Sequence, residues 1–570
     1  MARRTVRVET VAQAYLEVLA SRGIDYVIGN ANTSLVDAFA RLAAKKAGGR
    51  TRGPKPLLVA HEYPATAMAH GYAMLTGRPQ AVMVHSTVGA ANAAGALINA
   101  ARARMPILFT AATSPAADAP GIAGARDIHV HWAQEAFDQG GMLREWLKWD
   151  YELRRPEQLE AAVDRALELA LAQPQGPVYL MLPRDLMAQP MRALALEAPP
   201  RHTASRRYPD PARIAEAAEI LKASRRPLII TSEAGRDPAA RAALVALAEA
   251  GGIPVLDAAP VYANFPADHP CHAGYVFGSQ TYPGVADADA ILVVDCDAPW
   301  FASRVRPKPG AKVIQLAIDP FFSRYPMRNY PCDVPIAAEP AVALRQLARR
   351  LAKPPGARER LKRLEKTHRM RRLEWQRAAQ AEARRLPIGF QWASRCVAQA
   401  LGKDDLVVNE YPLDLRHADP RPGAYFAPPH SAGLGWGFGA ALGAKLAAPG
   451  RTVVATLGDG SYIFGSPSAC HQAARMHDLP LLVVVFNNSG WEEVSKGTAN
   501  VHPSGWAVST GNFPFSALKP SPRFEEIVRA FDGHGERVEA PQELPGALAR
   551  ALQVVRKERR QALVNVICKR

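Results

Sequence analysis

Two short polar motifs in the last third of the chain have the residue types and spacing to hold a metal-bound diphosphate. Gly458-Asp459-Gly460-Ser461 follows the apolar run TVVATL, and Asn487-Asn488 closes the run LPLLVVVF. Read as strand, helix and strand, segment 452–488 puts both motifs at the carboxyl ends of parallel strands, where α/β sheets bind ligands. Glycine lets backbone amides approach a phosphate closely. Asp459 and an asparagine side chain offer hard oxygens, which suit magnesium. Ser466-Pro467-Ser468 reads as the start of the intervening helix, with a hydroxyl to cap it and proline in its first turn.

Two residues near the start of the chain also have chemical potential. Glu62 lies in LLVAHEYPATAMAHGYAMLTG (57–77), a strand followed by a helix that begins near Glu62. A carboxylate in so apolar a segment either interacts with the helix dipole or has a chemical task. His85 ends the run AVMVHS (81–86), just before a glycine-containing turn at the same kind of ligand-binding edge. Imidazole exchanges protons near neutrality, although a turn histidine bonded to backbone has the same local pattern.

These motifs need sheets to position them. Short apolar runs alternate with helix-like segments along most of the chain, the signature of parallel sheets wrapped by helices. YVIGN (26–30), LLVA (57–60), AVMVHS, PILFTA (106–111) and GPVYLMLP (176–183) read as strands of a first block. PLIITS (227–232), IPVL (253–256), ILVVDC (291–296) and KVIQLAI (312–318) form a second. DLVVNE (405–410), TVVATLG (452–458), LPLLVVVFNN (479–488) and ALVNVI (562–567) form a third. The expected fold is therefore α/β, with three consecutive parallel-sheet domains at 1–188, 205–352 and 387–570. A polar linker is expected at 188–207 and a basic helical connector at 353–386.

Composition narrows the class. The 570 residues are 48% hydrophobic and 22% charged, which suits large buried cores. No apolar run reaches the roughly 18 residues of a membrane span, and the first residues lack a signal-peptide pattern. Six dispersed cysteines without a CxxC pair argue against disulfides and structural zinc, so a reducing, cytoplasmic compartment is expected. Part of the net charge of +17 sits in 357–385, where glutamates and leucines interleave with arginines. That pattern reads as a solvated helix, and no nucleic-acid recognition module accompanies it.

With these residues in view, GDGS followed by NN across a strand–helix–strand unit resembles the thiamine-diphosphate fingerprint of the acetolactate synthase and 2-oxo acid decarboxylase superfamily. The resemblance implies Mg2+ ligands in Asp459, the Asn488 side chain and the Gly490 carbonyl, with Gly458, Gly460 and Ser461 lining the cofactor. HE followed by AxxMAxGYA is similar to the superfamily's pyrimidine-domain motif, which implies that Glu62 bonds the aminopyrimidine ring and helps generate the base. In SAGLGWGFGAALGA (431–444) the resemblance makes Leu434 the apolar prop beneath the cofactor. As a dinucleotide fingerprint that segment is weak, because no clear strand precedes it and no suitably placed acid follows. A nicotinamide-dependent oxidoreductase is therefore the remote reading.

HSTVG with AxNAAGALxNA resembles benzoylformate decarboxylase, implying that His85 faces the substrate with Ser86 beside it. HWAQEAFDQ (131–139) resembles the glutamine-bearing segment of acetolactate synthases, implying that Gln134 reaches the cofactor from a partner subunit. Two features depart from the pattern. ILVVDCDAPWF (291–301) lacks the second histidine of such decarboxylases, and IGNANTSLVDA (28–38) carries Ala31 and Asn32 where relatives have Pro-Gly, with Thr33 at the hydroxyl position.

Taken together, the resemblance implies pyrimidine, middle and diphosphate domains in a homodimer or homotetramer, with Glu62 of one subunit meeting Asp459 and Asn488 of another. It implies cleavage of a carbon–carbon bond next to a carbonyl through a thiazolium-bound enamine, as a 2-oxo acid decarboxylase or 2-hydroxyacyl lyase. VVNEYP (407–412) leans that way. The alternative is an acetolactate-synthase-type carboligase. The substrate would be a 2-oxo acid or acyl-CoA, and FAD is not expected because the middle block shows no distinct phosphate-contacting pattern.

Overall fold

The computed structural model describes residues 4–30, 32–44, 53–198, 205–278, 280–352 and 354–569. Ala31 and residues 199–204 of the expected linker lie outside the described residues.

Three six-stranded parallel sheets make up the frame, and two of them share one strand order. The first runs edge to edge as Lys55–Leu58, Tyr26–Gly29, Ala81–Val84, Leu108–Thr113, Val178–Pro183 and Asp150–Glu152. The third runs Tyr425–Phe426, Leu406–Glu410, Val453–Gly458, Leu482–Asn487, Ala562–Ile567 and His534–Val538. In both, the second strand in chain order takes one edge and the fifth takes the other. The middle sheet runs His272–Val276, Val255–Ala258, Pro227–Thr231, Ala290–Val294, Lys312–Ala317 and Val334–Ala337. Its chain order reverses between Pro227–Thr231 and Ala290–Val294.

The central strands are runs of branched apolar residues because both of their faces are covered by helices. All six residues of Leu482–Asn487 are buried. Edge strands such as Asp150–Glu152 and His534–Val538 are shorter or mixed with polar residues, which hides them from a search for apolar runs. Within the expected linker, Ala193–Leu196 is a strand that pairs antiparallel with Arg4–Arg7 and ties the end of the first block to its beginning. Asp-Pro pairs start two helices of the middle block: Asp210 and Asp237 accept the N–H of Ala212 and Ala239, with proline in the first turn.

Two local expectations need correction. Ser466 makes no capping bond; it sits at φ 52° before helix Pro467–Met476. A separate six-residue helix, Asp459–Phe464, starts directly on the GDGS motif. His85 is followed at once by helix Ser86–Arg102, with no intervening turn.

The first and third blocks share a single apolar core, which includes Val82, Val84 and Phe109 from one sheet and Val408, Ala455 and Val483 from the other. Helices Glu62–Thr76 and Trp436–Ala447 join them. A Cβ on Gly71 would lie 2.0 Å from the carbonyl oxygen of Ala440, and one on Gly443 would lie 1.9 Å from that of Met68. The glycine density of 431–444 is thus largely a packing requirement. Helix Ala357–Ala381 lies within the segment 353–386 expected as a connector; few of its 25 residues are buried, among them Arg360 and His368.

Candidate active site

Glu62 opens its helix at the carboxyl end of the first sheet, and the residue is only 8% exposed. Two asparagine amides hold the carboxylate. Asn30 donates to Oε1 at 2.7 Å and Asn92 donates to Oε2 at 3.1 Å. Gly89 leaves room for this arrangement, since a Cβ there would stand 3.2 Å from Oε1. Asn30 also accepts the backbone N–H of His85 on its Oδ1 at 3.1 Å, so one side chain ties Glu62 to the His85 strand end.

His85 is exposed and lines a narrow cleft together with Asn32, Thr33, Ser86 and Gln134. Gln134 is anchored there by its own chain: the Ser86 hydroxyl bonds its side chain, and the Thr87 hydroxyl donates to its backbone carbonyl at 2.6 Å. Asn32 caps helix Thr33–Ala44 by accepting the N–H of Ser34 at 3.1 Å. Arg184 and His131 complete the wall, with Arg184 paired to Asp127 at 2.8 Å. Burial, followed by the charge of Arg184, lowers the His131 pKa.

At the carboxyl end of the third sheet, Asp459 is 3% exposed and accepts the N–H of Gly460 at 2.8 Å on Oδ1. Its Oδ2 and the Asn488 Oδ1 converge on the N–H of Gly490, at 3.1 and 3.2 Å. Burial raises the Asp459 pKa against the pull of these backbone bonds. Among the described residues, no basic side chain pairs with it. Gly460 has no space for a side chain because the Trp491 ring would lie 2.3 Å from its Cβ, whereas Gly458 is open.

Leu434 is partly exposed and absent from the buried core. It stands between Gly433, whose carbonyl accepts bonds from Asn99 at 2.9 Å and Tyr63 at 3.1 Å, and Gly435, whose φ of 87° favours glycine. Glu410 fixes this turn from below. It is fully buried at the end of strand Leu406–Glu410 and accepts the N–H groups of Gly435 at 2.7 Å and Gly437 at 2.5 Å. Burial pushes its pKa up to about 7, although those bonds and one from the Ser461 hydroxyl oppose the rise.

Asn30, Asn92, Asn99 and Glu410 fall inside motifs quoted from the sequence, but none of the four was given a role there. The signal for two of them was present: Asn92 and Asn99 are seven residues apart on helix Ser86–Arg102 and so share a face. The middle sheet's switch point, a habitual nucleotide crevice in such sheets, receives side chains from both other blocks. Arg104 pairs with Glu233 at 3.5 Å, and His430 bonds Asp297 and the carbonyl of Ala259, the latter at 2.8 Å. His430 thus reaches the middle block from a distant loop.

Family models match three long segments of the chain. Residues 9–142 match the thiamine pyrophosphate enzyme N-terminal TPP binding domain, 214–347 its central domain and 413–566 its C-terminal TPP binding domain. The chain belongs to the thiamine pyrophosphate (thiamine diphosphate) enzyme family. It is 27% identical to a probable 2-ketoarginine decarboxylase of Pseudomonas aeruginosa, over 94% of this chain and 90% of that protein. It is 25% identical to the acetolactate synthase isozyme 3 large subunit of Escherichia coli, over 96% and 93%. The fold matches the crystal structure of benzoylformate decarboxylase from Polynucleobacter necessarius with a TM-score of 0.78, at 21% identity and 99% coverage of both chains.

Proposed function

We propose that this thiamine-diphosphate-dependent enzyme works with magnesium to cleave a carbon–carbon bond next to a carbonyl, as a 2-oxo acid decarboxylase or 2-hydroxyacyl lyase. The observation that carries this reading is the Asn30 bridge, which ties the Glu62 carboxylate to the backbone of His85. Asp459, Asn488 and Gly490 would hold the metal. A buried carboxylate without a counter-charge, beside a second hard oxygen, has the chemistry a divalent cation stabilises. Gly458, Gly460 and Ser461 would border the diphosphate, and Leu434 would support the rings.

When bound, thiamine diphosphate supplies an acidic ring carbon and an electron sink for the substrate's carbonyl carbon. The chain supplies placement and proton handling. Glu62 would present an oriented carboxyl group to the aminopyrimidine, while Asn30 and Asn92 keep it from rotating. His85, facing the cleft, delivers or removes a proton at a ring nitrogen. Gln134, locked by Ser86 and Thr87, borders the space where the acyl group would lie.

That last feature favours carboligation as a second reading, in which a second carbonyl compound replaces the proton. Both readings place the active site between subunits of a homodimer or homotetramer. The free cysteines, five of them buried, support a reducing, cytoplasmic setting. Among the described residues no helix is long and apolar enough to cross a membrane.

Product analysis by NMR tests the proposal. Purified protein with thiamine diphosphate and magnesium would be given pyruvate, benzoylformate, 2-ketoarginine, oxalyl-CoA or a 2-hydroxyacyl-CoA, each with and without an added aldehyde. Release of an aldehyde, or of formyl-CoA from oxalyl-CoA, is the expected result. A condensed ketol as the main product would transfer the assignment to carboligation.

A further inference from the structure

The third block has a second pocket on the face opposite the cofactor motifs. Its walls come from connector helix Ala357–Ala381, with Arg372 and Trp375; from helix Phe390–Ala400, with Arg395; and from the segment before strand Tyr425–Phe426, with Arg416 and Arg421. The space is about 1050 Å³, mouth included. Asp405 and Val407, at the beginning of strand Leu406–Glu410, line it, whereas Glu410 at the other end supports the Leu434 turn. At about 3.3 Å per residue, the two strand ends are on the order of 13 Å apart. None of the residues lining the pocket belongs to the candidate active site.

Its charges do not balance. Arg372 has Asp419 at 3.3 Å, and Arg416 has Asp414 at 2.6 Å. Asp405 is engaged by Arg556, a residue outside the pocket lining. Among the described residues, Arg421 has no carboxylate partner and donates only to the carbonyl of Gly402 at 2.6 Å. Arg395 has no carboxylate partner either, and its Nε is buried without a hydrogen bond. Two guanidinium groups without a counter-charge on one pocket wall favour an anion there. The planar fork of arginine fits phosphate oxygens two at a time, and Trp375 adds a flat apolar surface beside it.

We propose that this pocket binds a phosphorylated small molecule, with its phosphate on Arg395 and Arg421 and its ring portion against Trp375. Calorimetric titration of the full chain, saturated with thiamine diphosphate and magnesium, tests this with three probes: ADP, pyrophosphate and uncharged adenosine. Saturable binding of ADP or pyrophosphate without binding of adenosine is the expected result. ADP binding more tightly than pyrophosphate would identify a nucleotide; equal affinities would identify the phosphate group alone as the determinant. Arg395→Gln should weaken binding at least tenfold. Arg421→Gln, at an exposed position, should weaken it as well and serves as the arm that keeps the fold. Thiamine diphosphate affinity should stay unchanged in both and reports that each variant is folded. Absence of saturable binding by both anions, or full-strength binding in folded variants, would overturn the proposal.

Discussion

The side-chain amide of Asn30 lies 2.7 Å from Oε1 of Glu62, and the same asparagine receives the backbone N–H of His85. The loop after strand Tyr26–Gly29 therefore sets the geometry of two residues that the sequence separates by more than twenty positions. Glu62→Gln should lower kcat by about 10²–10⁴-fold, the usual worth of a positioned acid–base group. Asn30→Ala leaves the carboxylate in place but free to turn, so a loss of up to about 10²-fold is expected. Thiamine diphosphate affinity should change little in either variant. Steady-state kinetics beside a cofactor titration checks both, and wild-type turnover in Glu62→Gln would remove Glu62 from the mechanism.

Asp459→Ala removes a buried carboxylate that has no basic partner among the described residues. Magnesium-dependent binding of thiamine diphosphate should weaken more than tenfold, while binding without metal should change far less. Trp491, which packs over Gly460, provides a fluorescence signal for the titration. Chelation of the wild-type metal should reproduce the defect. Equal affinities with and without magnesium in the wild type would argue against a metal at Asp459.

Gly71→Ala tests the contact between the first and third blocks. Its Cβ would meet the Ala440 carbonyl, a backbone atom with no freedom to step aside. Overpacking of this kind costs about 1–3 kcal/mol or more. A fall in thermal midpoint measured by circular dichroism is expected; an unchanged midpoint would show that the helices separate without cost.

The His430–Asp297 pair predicts a pH dependence. Burial alone would lower the His430 pKa, but the hydrogen bond and charge of Asp297 outweigh it and raise the value to about 9. Despite burial, bonds from His430 and Tyr325 hold the Asp297 carboxyl below its ordinary value. A raised histidine pKa gives stability that is complete below the unfolded value of 6.5 and is lost as pH climbs through 9. Wild-type stability in urea should therefore decline over that window. His430→Asn should flatten the decline and cost about 3–5 kcal/mol at pH 6, because Asp297 stays buried without its partner. A decline of equal slope in the variant would assign the pH dependence to other groups.

Sequence by itself determined the features that depend on local composition. Leu482–Asn487 and Ala562–Ile567 announce themselves because central parallel strands must be apolar on both faces. GDGS and the asparagine pair are legible because ligand motifs sit where such strands end. Glu62 stands out as a carboxylate in an apolar helix start. The partners of these residues were decided only by the tertiary structure. Asn30 and Asn92 reach Glu62 from two other elements, Glu410 holds a turn some 25 positions away, and Asn99 pins Gly433 across more than three hundred residues. Tertiary packing also reassigned the glycines of 431–444, since nothing local reveals that Met68 will press against Gly443. A residue's type and immediate neighbours reveal its intrinsic chemistry; which hydrogen bond it makes depends on the chain returning to the same place, and that follows from the burial of whole sheets and helices.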